Sequence, residues 1–276
     1  VTERSVAQLV IDGLRSVDID TLFCLPGIQN DDFFDALVDA RDIRPIVARH
    51  EQGAAYMALG ASQVTGRPAA FCVVPGPGVL NASAAMNSAY WSGGRVLGII
   101  GAIPSSLEGK ATGVLHDLPD PTGLLGHLTK SALYVSSGDD AAERLQTALD
   151  SLVAGLARPV SLQVPVDVWR QPIEGRLRPS GGDALVDPEQ IEFAVDAIDG
   201  AERPLIVVGG GAHDASAEVR ALAERIGAPV TTRRQGHGVV DSRHPLWVPL
   251  PVGRQFWGDA DVVIGIGTRL EFPILH

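Results

Sequence analysis

Aromatic residues and cysteines are scarce in this chain. Aromatics make up 5% of the sequence while hydrophobic residues reach 45%, so a core has to rest on Ala, Val, Leu and Ile. The two cysteines, Cys24 and Cys72, each sit inside an apolar run (Leu22-Phe23-Cys24-Leu25 and Ala70-Phe71-Cys72-Val73-Val74). They read as buried, reduced space-fillers, and no metal cluster is expected. Positive charge is also in deficit: 22 Lys and Arg against 33 Asp and Glu give a net charge of −11 and a pI near 5.0. Such a surface repels phosphate backbones, which argues against nucleic acid as a partner. No apolar run is long enough to span a bilayer. The opening Val1-Thr2-Glu3-Arg4-Ser5 lacks the basic-then-apolar pattern of a signal peptide. The default expectation is a cytoplasmic protein with no membrane partner.

What is present is punctuation. With 31 Gly and 19 Pro over 276 residues, the composition suits α/β layers joined by tight turns, as one large or two ordinary domains. Val6, Leu9, Val10 and Leu14 share a helical face, with Thr2 available as N-cap. Thr21 to Leu25 is a short apolar strand stopped by Pro26-Gly27. Asp31 to Asp39 reads as a helix with Phe34, Leu37 and Val38 inward. Ile43 to Val47 is a weaker strand, because Pro45 cannot donate to a sheet ladder. Gln52 to Thr65 is helical, and Ala54, Ala55, Ala58 and Ala61 keep one face small. Ala69 to Val74 is a strand that ends in Pro75-Gly76-Pro77-Gly78. A helix from Leu80 to Tyr90, a strand at Val96 to Ile100, a helix at Ala141 to Ala154 and a strand at Val160 to Val164 follow.

Residues 171–187 form the best linker, with Pro172, Gly175, Pro179, Gly181 and Gly182 and no apolar period. They separate a first domain, 1–170, from a second α/β unit, 188–276. That unit holds a helix at Pro188 to Ile198, a strand at Pro204 to Val208 and a Gly209-Gly210-Gly211 turn. A helix at Ala215 to Ile226 and strands at Pro229 to Thr232 and Val262 to Ile266 complete it. Strands alternating with helices predict an α/β fold whose parallel sheet is flanked by helices, followed by a second α/β unit.

Three strand ends converge in this reading: Pro26-Gly27, then His50-Glu51, then Pro75 to Gly78. Ligand crevices in such folds open at the carboxyl edge of the sheet, and glycines there let backbone approach a ligand closely. Glu51 stands out as a carboxylate near a helix N-terminus, although a solvated first-turn Glu is the plain alternative.

The strings Leu25-Pro26-Gly27, Arg49-His50-Glu51-Gln52-Gly53-Ala54-Ala55-Tyr56-Met57-Ala58 and Gly76-Pro77-Gly78-Val79-Leu80-Asn81 make the match specific. Together with Gly66-Arg67-Pro68, Ala89-Tyr90-Trp91 and Pro159 to Val168, they resemble thiamine-diphosphate enzymes of the acetolactate synthase and 2-oxoacid decarboxylase family. The resemblance implies a pyrimidine-binding domain followed by part of the family's central domain, a Rossmann-like domain incomplete at its C-terminus. It implies that Glu51 hydrogen-bonds the cofactor's aminopyrimidine, favouring the imino tautomer that removes the thiazolium proton to give an ylide. Pro26, Gly27, Val74, Gly78 and Asn81 then hold the cofactor, Asn81 having the alternative of satisfying helix N-terminal donors. His116 falls where relatives carry a Gln or His near the substrate, and histidine suits proton shuttling. Ile28 lies where relatives place a substrate-facing residue, so it is either an apolar pocket wall or core. His50 either orients Glu51 or packs, and Lys110 and Lys130 read as solvated charges.

The implied activity is a lyase or carboligase acting on a 2-oxoacid or 2-hydroxyacyl thioester. The family binds the cofactor diphosphate through Mg2+ in a further domain marked by Gly-Asp-Gly and paired asparagines. Neither string occurs here, so no metal ligand is assigned, and a diphosphate-binding domain or subunit is the expected partner within a homo-dimer or tetramer. FAD or ADP is possible in the central domain of relatives, and a vacant domain is expected here. The competing readings are a non-catalytic regulatory or assembly subunit, and a nicotinamide dehydrogenase. The latter is weakened because no Gly-x-Gly-x-x-Gly follows the first strand.

Overall fold

The structure, a computed structural model, describes residues 4–181 and 186–270. The chain divides into two compact units, Val1–Asp183 and Ala184–His276.

In the first unit the elements run α1 (Val6–Ser16), β1 (Thr21–Cys24), α2 (Asp31–Leu37), β2 (Arg44–Val47), α3 (Glu51–Thr65), β3 (Ala69–Val73) and α4 (Pro77–Ser92). They continue with β4 (Val96–Ala102), α5 (Pro121–Leu128), β5 (Ser131–Tyr134), α6 (Gly138–Val153) and β6 (Val160–Pro165). The six strands are all parallel, in the order β2-β1-β3-β4-β6-β5. Side chains alternate across a strand, so the sheet carries two cores. Leu22, Cys24, Ala70, Cys72, Leu97 and Ile99 pack with α1, α2 and α6 on one face. Phe71, Val73, Val96 and Ile100 pack with α3, α4 and α5 on the other. β3 and β4 are buried along their whole length, which is why they read as unbroken apolar runs. β2 is the edge strand, and Pro45 sits there opposite Leu22, where a missing N–H does no harm.

Several expectations need correction. Thr2 lies outside the described residues, and the cap of α1 is Ser5, whose Oγ accepts from Gln8 N–H while the Gln8 side chain accepts from Ser5 N–H. In α2 the inward pair is Phe33 and Leu37. Phe33 stacks on Trp169 with ring centroids 5.1 Å apart, Phe34 is half-buried, and Val38 is 73% exposed beyond the helix end. α4 starts at Pro77 rather than Leu80, because proline suits a first helical position whose N–H would be unpaired anyway. The stretch expected as linker is tied to the first unit as far as Ser180. Ile173 N–H donates to Arg4 O (3.0 Å), Arg178 N–H to Gln146 Oε1 (2.9 Å) and Gln146 Nε2 to Ser180 Oγ (2.8 Å).

The second unit runs α7 (Pro188–Asp199), β7 (Pro204–Val208), α8 (Ser216–Ile226), β8 (Val230–Thr232), β9 (Trp247–Val248), α9 (Leu250–Asp259) and β10 (Val262–Ile266). Its parallel sheet has the order β10-β7-β8-β9, with Ile206, Val208, Val219, Ala223 and Val230 in the core. Among the described residues no helix is long and apolar enough to cross a membrane.

Candidate active site

The strand order positions the site. From β1 the chain moves outward to β2, then returns past β1 to lay down β3 and β4 on the other side. The carboxyl ends of β1 and β3 therefore flank a topological switch point, where open parallel sheets leave a crevice. The loops that leave these strands are the Pro26-Gly27 turn and the Pro75 to Gly78 turn. Val74 is buried between them. A Cβ on Gly27 would lie 2.5 Å from Val74 Cγ1, and one on Gly78 would lie 2.8 Å from Val74 Cγ2. Both glycines are thus required by close packing of the two turns. Pro26 is exposed at the rim.

Glu51 stands at the third strand end. After β2, Ala48 N–H donates to Cys24 O (2.8 Å), which holds the exit from the edge strand against β1. His50 is then extended and acts as the N-cap of α3, its Nδ1 accepting from Gln52 N–H at 3.1 Å. The imidazole of His50 serves the helix end, and Glu51 becomes the first helical residue. A carboxylate in the first turn is favoured by the helix dipole. Glu51 is half-buried, and its Oε2 accepts from Asn81 Nδ2 at 2.9 Å. Asn81 lies well inside α4, so the N-terminal donor role is excluded; its amide reaches across to the neighbouring helix instead. Among the described residues Glu51 Oε1 has no hydrogen-bond partner.

His116 is brought to the same edge by the long loop after β4. It has φ +69, a conformation side chains other than glycine rarely adopt. Its backbone is pressed against the Gly76 turn: a Cβ on Gly76 would sit 2.7 Å from His116 O and 2.9 Å from His116 Cα. The ring Nδ1 lies 3.2 Å from Gln29 Oε1, while Gln29 Nε2 donates to Leu115 O at 3.4 Å. Gln29 is 5% exposed, and its carbonyl accepts from the buried Trp169 Nε1 at 2.9 Å. Asn30 is fully buried, donating to Val73 O (2.9 Å) and contacting Cys72 Sγ (3.4 Å). These two amides were missed in the sequence. The signal was slight: Gln-Asn follows a Pro-Gly turn ahead of an amphipathic helix, where polar side chains can bond backbone. Asn30 Oδ1 itself has no partner among the described residues, and an unpaired buried group costs about 1–3 kcal/mol. Ile28 is 62% exposed, so the core alternative is excluded.

Other expected features fall elsewhere. Cys24 and Cys72 are free, buried and opposite each other on β1 and β3. Burial pushes the Cys24 thiol up to about 11 and the Cys72 thiol well above its ordinary value. Lys130 is not a freely solvated charge. Its Nζ donates to Ala154 O and Leu156 O, both at 2.8 Å, and burial followed by the nearby Arg95 and Arg158 lowers its pKa to about 8. Lys110 is exposed. In the second unit the glycine turns pack on one another. A Cβ on Gly211 would meet Gly267 Cα at 3.1 Å, and one on Gly210 would meet Gln235 Cβ at 3.0 Å. Close packing of Gly211 on Gly267 and of Gly210 on Gln235 is a reason for glycine at these positions. Among the described residues no group of three or more His, Cys, Asp or Glu could hold a metal ion.

Two family models match the sequence: "Thiamine pyrophosphate enzyme, N-terminal TPP binding domain" over residues 4–124, and the central domain of the same enzymes over residues 191–274. The chain is 29% identical to a Pseudomonas aeruginosa protein assigned as a 2-ketoarginine decarboxylase, over 96% of this chain and 49% of that protein. It is 30% identical to the Escherichia coli acetolactate synthase isozyme 1 large subunit, covering 96% of this chain and 48% of the subunit. It is also 30% identical to the Corynebacterium glutamicum acetolactate synthase large subunit, with 96% and 44% covered. The chain thus spans about half the length of these curated relatives. A solved structure from Mycobacterium smegmatis, described as a candidate thiamin diphosphate-dependent enzyme, superposes with a TM-score of 0.85 at 23% identity. The superposition covers 97% of this chain and 53% of the other, and it establishes the likeness of fold.

Proposed function

The chain belongs to the thiamine pyrophosphate enzyme family, and on that premise we propose that it supplies the pyrimidine-side half of a decarboxylase or carboligase site, with Glu51 as its central catalytic residue. The substrate class is a 2-oxoacid or a 2-hydroxyacyl thioester. The observation that carries the reading is the Glu51 carboxylate, half-buried at the switch-point edge, with Oε2 engaged by Asn81 at 2.9 Å and Oε1 unengaged by the described residues.

The residues present fit the cofactor. An aminopyrimidine needs one carboxyl oxygen at a ring nitrogen and a surface free of bulky side chains, and the Gly27, Val74 and Gly78 packing leaves mainly backbone at that edge. When bound, thiamine diphosphate supplies an ionisable thiazolium carbon that serves as nucleophile and electron sink. The chain's own part is orientation and proton control. The Asn81 bond restrains rotation of the Glu51 carboxyl group and presents Oε1 as the oxygen that exchanges a proton with the ring nitrogen. Pro26, Gly27 and residues 74–78 offer backbone to the pyrimidine. His116 holds or moves a proton at the substrate, and exposed Ile28 forms an apolar wall. Mg2+ and the diphosphate fall to polypeptide outside this chain, within an oligomer.

The test is Glu51→Gln in the full-length protein with thiamine diphosphate and Mg2+. Loss of a proton-transferring group costs about a hundredfold or more in turnover. Turnover near that of the unaltered protein rejects the role.

A further inference from the structure

Gln29 was not among the residues that the family pattern singles out, yet its side chain is the one polar contact made to the His116 ring among the described residues. We propose that Gln29 is a positioning residue that fixes His116 as the Nδ1–H tautomer and leaves Nε2 unprotonated, as the ring's proton acceptor.

The argument starts from the backbone. The Gln29 carbonyl is pinned by Trp169 Nε1 at 2.9 Å, and Asn30 N–H donates to Gly27 O at 2.8 Å. Behind the segment, Gly101 has no side chain, and a Cβ there would crowd Gln29 Cβ at 3.1 Å and collide with the Asn30 amide. The buried Gln29 side chain therefore leaves from a fixed point. Its two ends meet two different partners: Leu115 O at 3.4 Å and His116 Nδ1 at 3.2 Å. A carbonyl oxygen only accepts, so the amide –NH2 must face Leu115 and Oε1 must face His116. The flipped amide would set two oxygens against each other. Oε1 carries no proton, so His116 Nδ1 has to donate. A neutral imidazole has one N–H, and Nε2 is then the basic nitrogen.

The histidine is held as firmly as the amide. Its backbone, at φ +69, is wedged against Gly76, so Gln29 and Gly76 grip the ring and the main chain of one residue. The three loops involved leave β1, β3 and β4 at one edge of the sheet. The tautomer assignment stands on this geometry alone; its catalytic consequence rests on the function proposed above.

Long-range 1H–15N correlation of the imidazoles in the 15N-histidine-labelled protein, at mildly alkaline pH, reads the tautomer directly. His116→Gln identifies the signal by removing it. The expected result is an Nδ1–H pattern for His116 in the unaltered protein and a shift toward Nε2–H in Gln29→Leu, with Gln29→Glu, which still accepts, keeping Nδ1–H. An Nε2–H pattern in the unaltered protein, which needs no variant to fold, overturns the proposal, and so does an Nδ1–H pattern that survives Gln29→Leu. On activity, Gln29→Leu is expected to lower kcat about tenfold with KM changed less than about twofold. In a His116→Gln background the same change should cost under about twofold, because contacting residues are non-additive; additive losses overturn action through His116. If His116→Gln alone leaves turnover intact, the proton role of His116 falls while the tautomer result stands or falls by itself.

Discussion

Replacing Gly76 by alanine perturbs the point where the β3 turn meets the His116 loop, and the structure supplies its own control in Gly66. Both glycines have positive φ, +57 at Gly76 and +70 at Gly66. They differ in what a new methyl group would touch. At Gly66, which closes α3, nothing lies within 4 Å, so Gly66→Ala carries only the left-handed backbone penalty of about 1–2 kcal/mol. At Gly76 the backbone penalty is about 1–3 kcal/mol, since φ +57 with ψ −116 lies outside even the left-handed helical region. The methyl group would also meet His116 O at 2.7 Å, Cα at 2.9 Å and C at 3.0 Å. All three are backbone atoms that cannot rotate away, and forced overpacking adds about 1–3 kcal/mol. The sum for Gly76→Ala is about 4 kcal/mol, two to three times the control. At about 2–4 °C per kcal/mol for a unit of this size, Gly66→Ala should lower Tm by about 4 °C and Gly76→Ala by about 12 °C. Calorimetric unfolding measures both, and hydrogen exchange in peptides covering residues 113–117 should quicken in Gly76→Ala alone. Equal shifts in the two variants, or unchanged exchange at His116, would refute the claimed contact.

Two further outcomes follow from perturbed ionisations. Lys130 is held near pKa 8, below the usual range of about 10.4, so the unfolded chain binds more protons between those values. The contribution of this group to stability therefore rises as pH climbs from about 8 to about 10.4. Amine-selective acylation followed by peptide mass spectrometry should show half-maximal labelling of Lys130 near pH 8; a midpoint near 10.4 contradicts the effect of its partial burial and of the charges of Arg95 and Arg158. Cys24 and Cys72 are buried thiols with raised pKa, so a disulfide reagent at neutral pH should label neither in the folded protein and both after unfolding.

How far the sequence revealed these features depended on the kind of signal. β3 and β4 were legible because strands buried on both faces have no polar alternation to confuse them, whereas Pro45 only weakened its strand in the sequence and the sheet order shows that strand at the edge. β5 and α5 were missed: Ser131–Tyr134 has one buried residue in four, and α5 opens at Pro121 inside a loop-like stretch. Phe33 displaced Phe34 from the core because Trp169, distant in sequence, offered it a ring to stack on. At the site, the glycine turns and Glu51 showed themselves through strand-end chemistry. The Asn81 bond to Glu51 and the Gln29 bond to His116 did not, since each joins residues 30 and 87 positions apart that only the parallel sheet brings together. The glycines of the second unit did not decide in the sequence between a nucleotide turn and a structural one; in the fold they pack against Gly267 and Gln235.

Whether Glu51 governs proton release from the cofactor is most directly read by deuterium exchange at the thiazolium C2 position of thiamine diphosphate bound to the full-length protein. Rapid-quench NMR should find exchange slowed about a hundredfold or more in Glu51→Gln at equal cofactor occupancy. Exchange at the same rate in both proteins would contradict the assignment of that carboxylate.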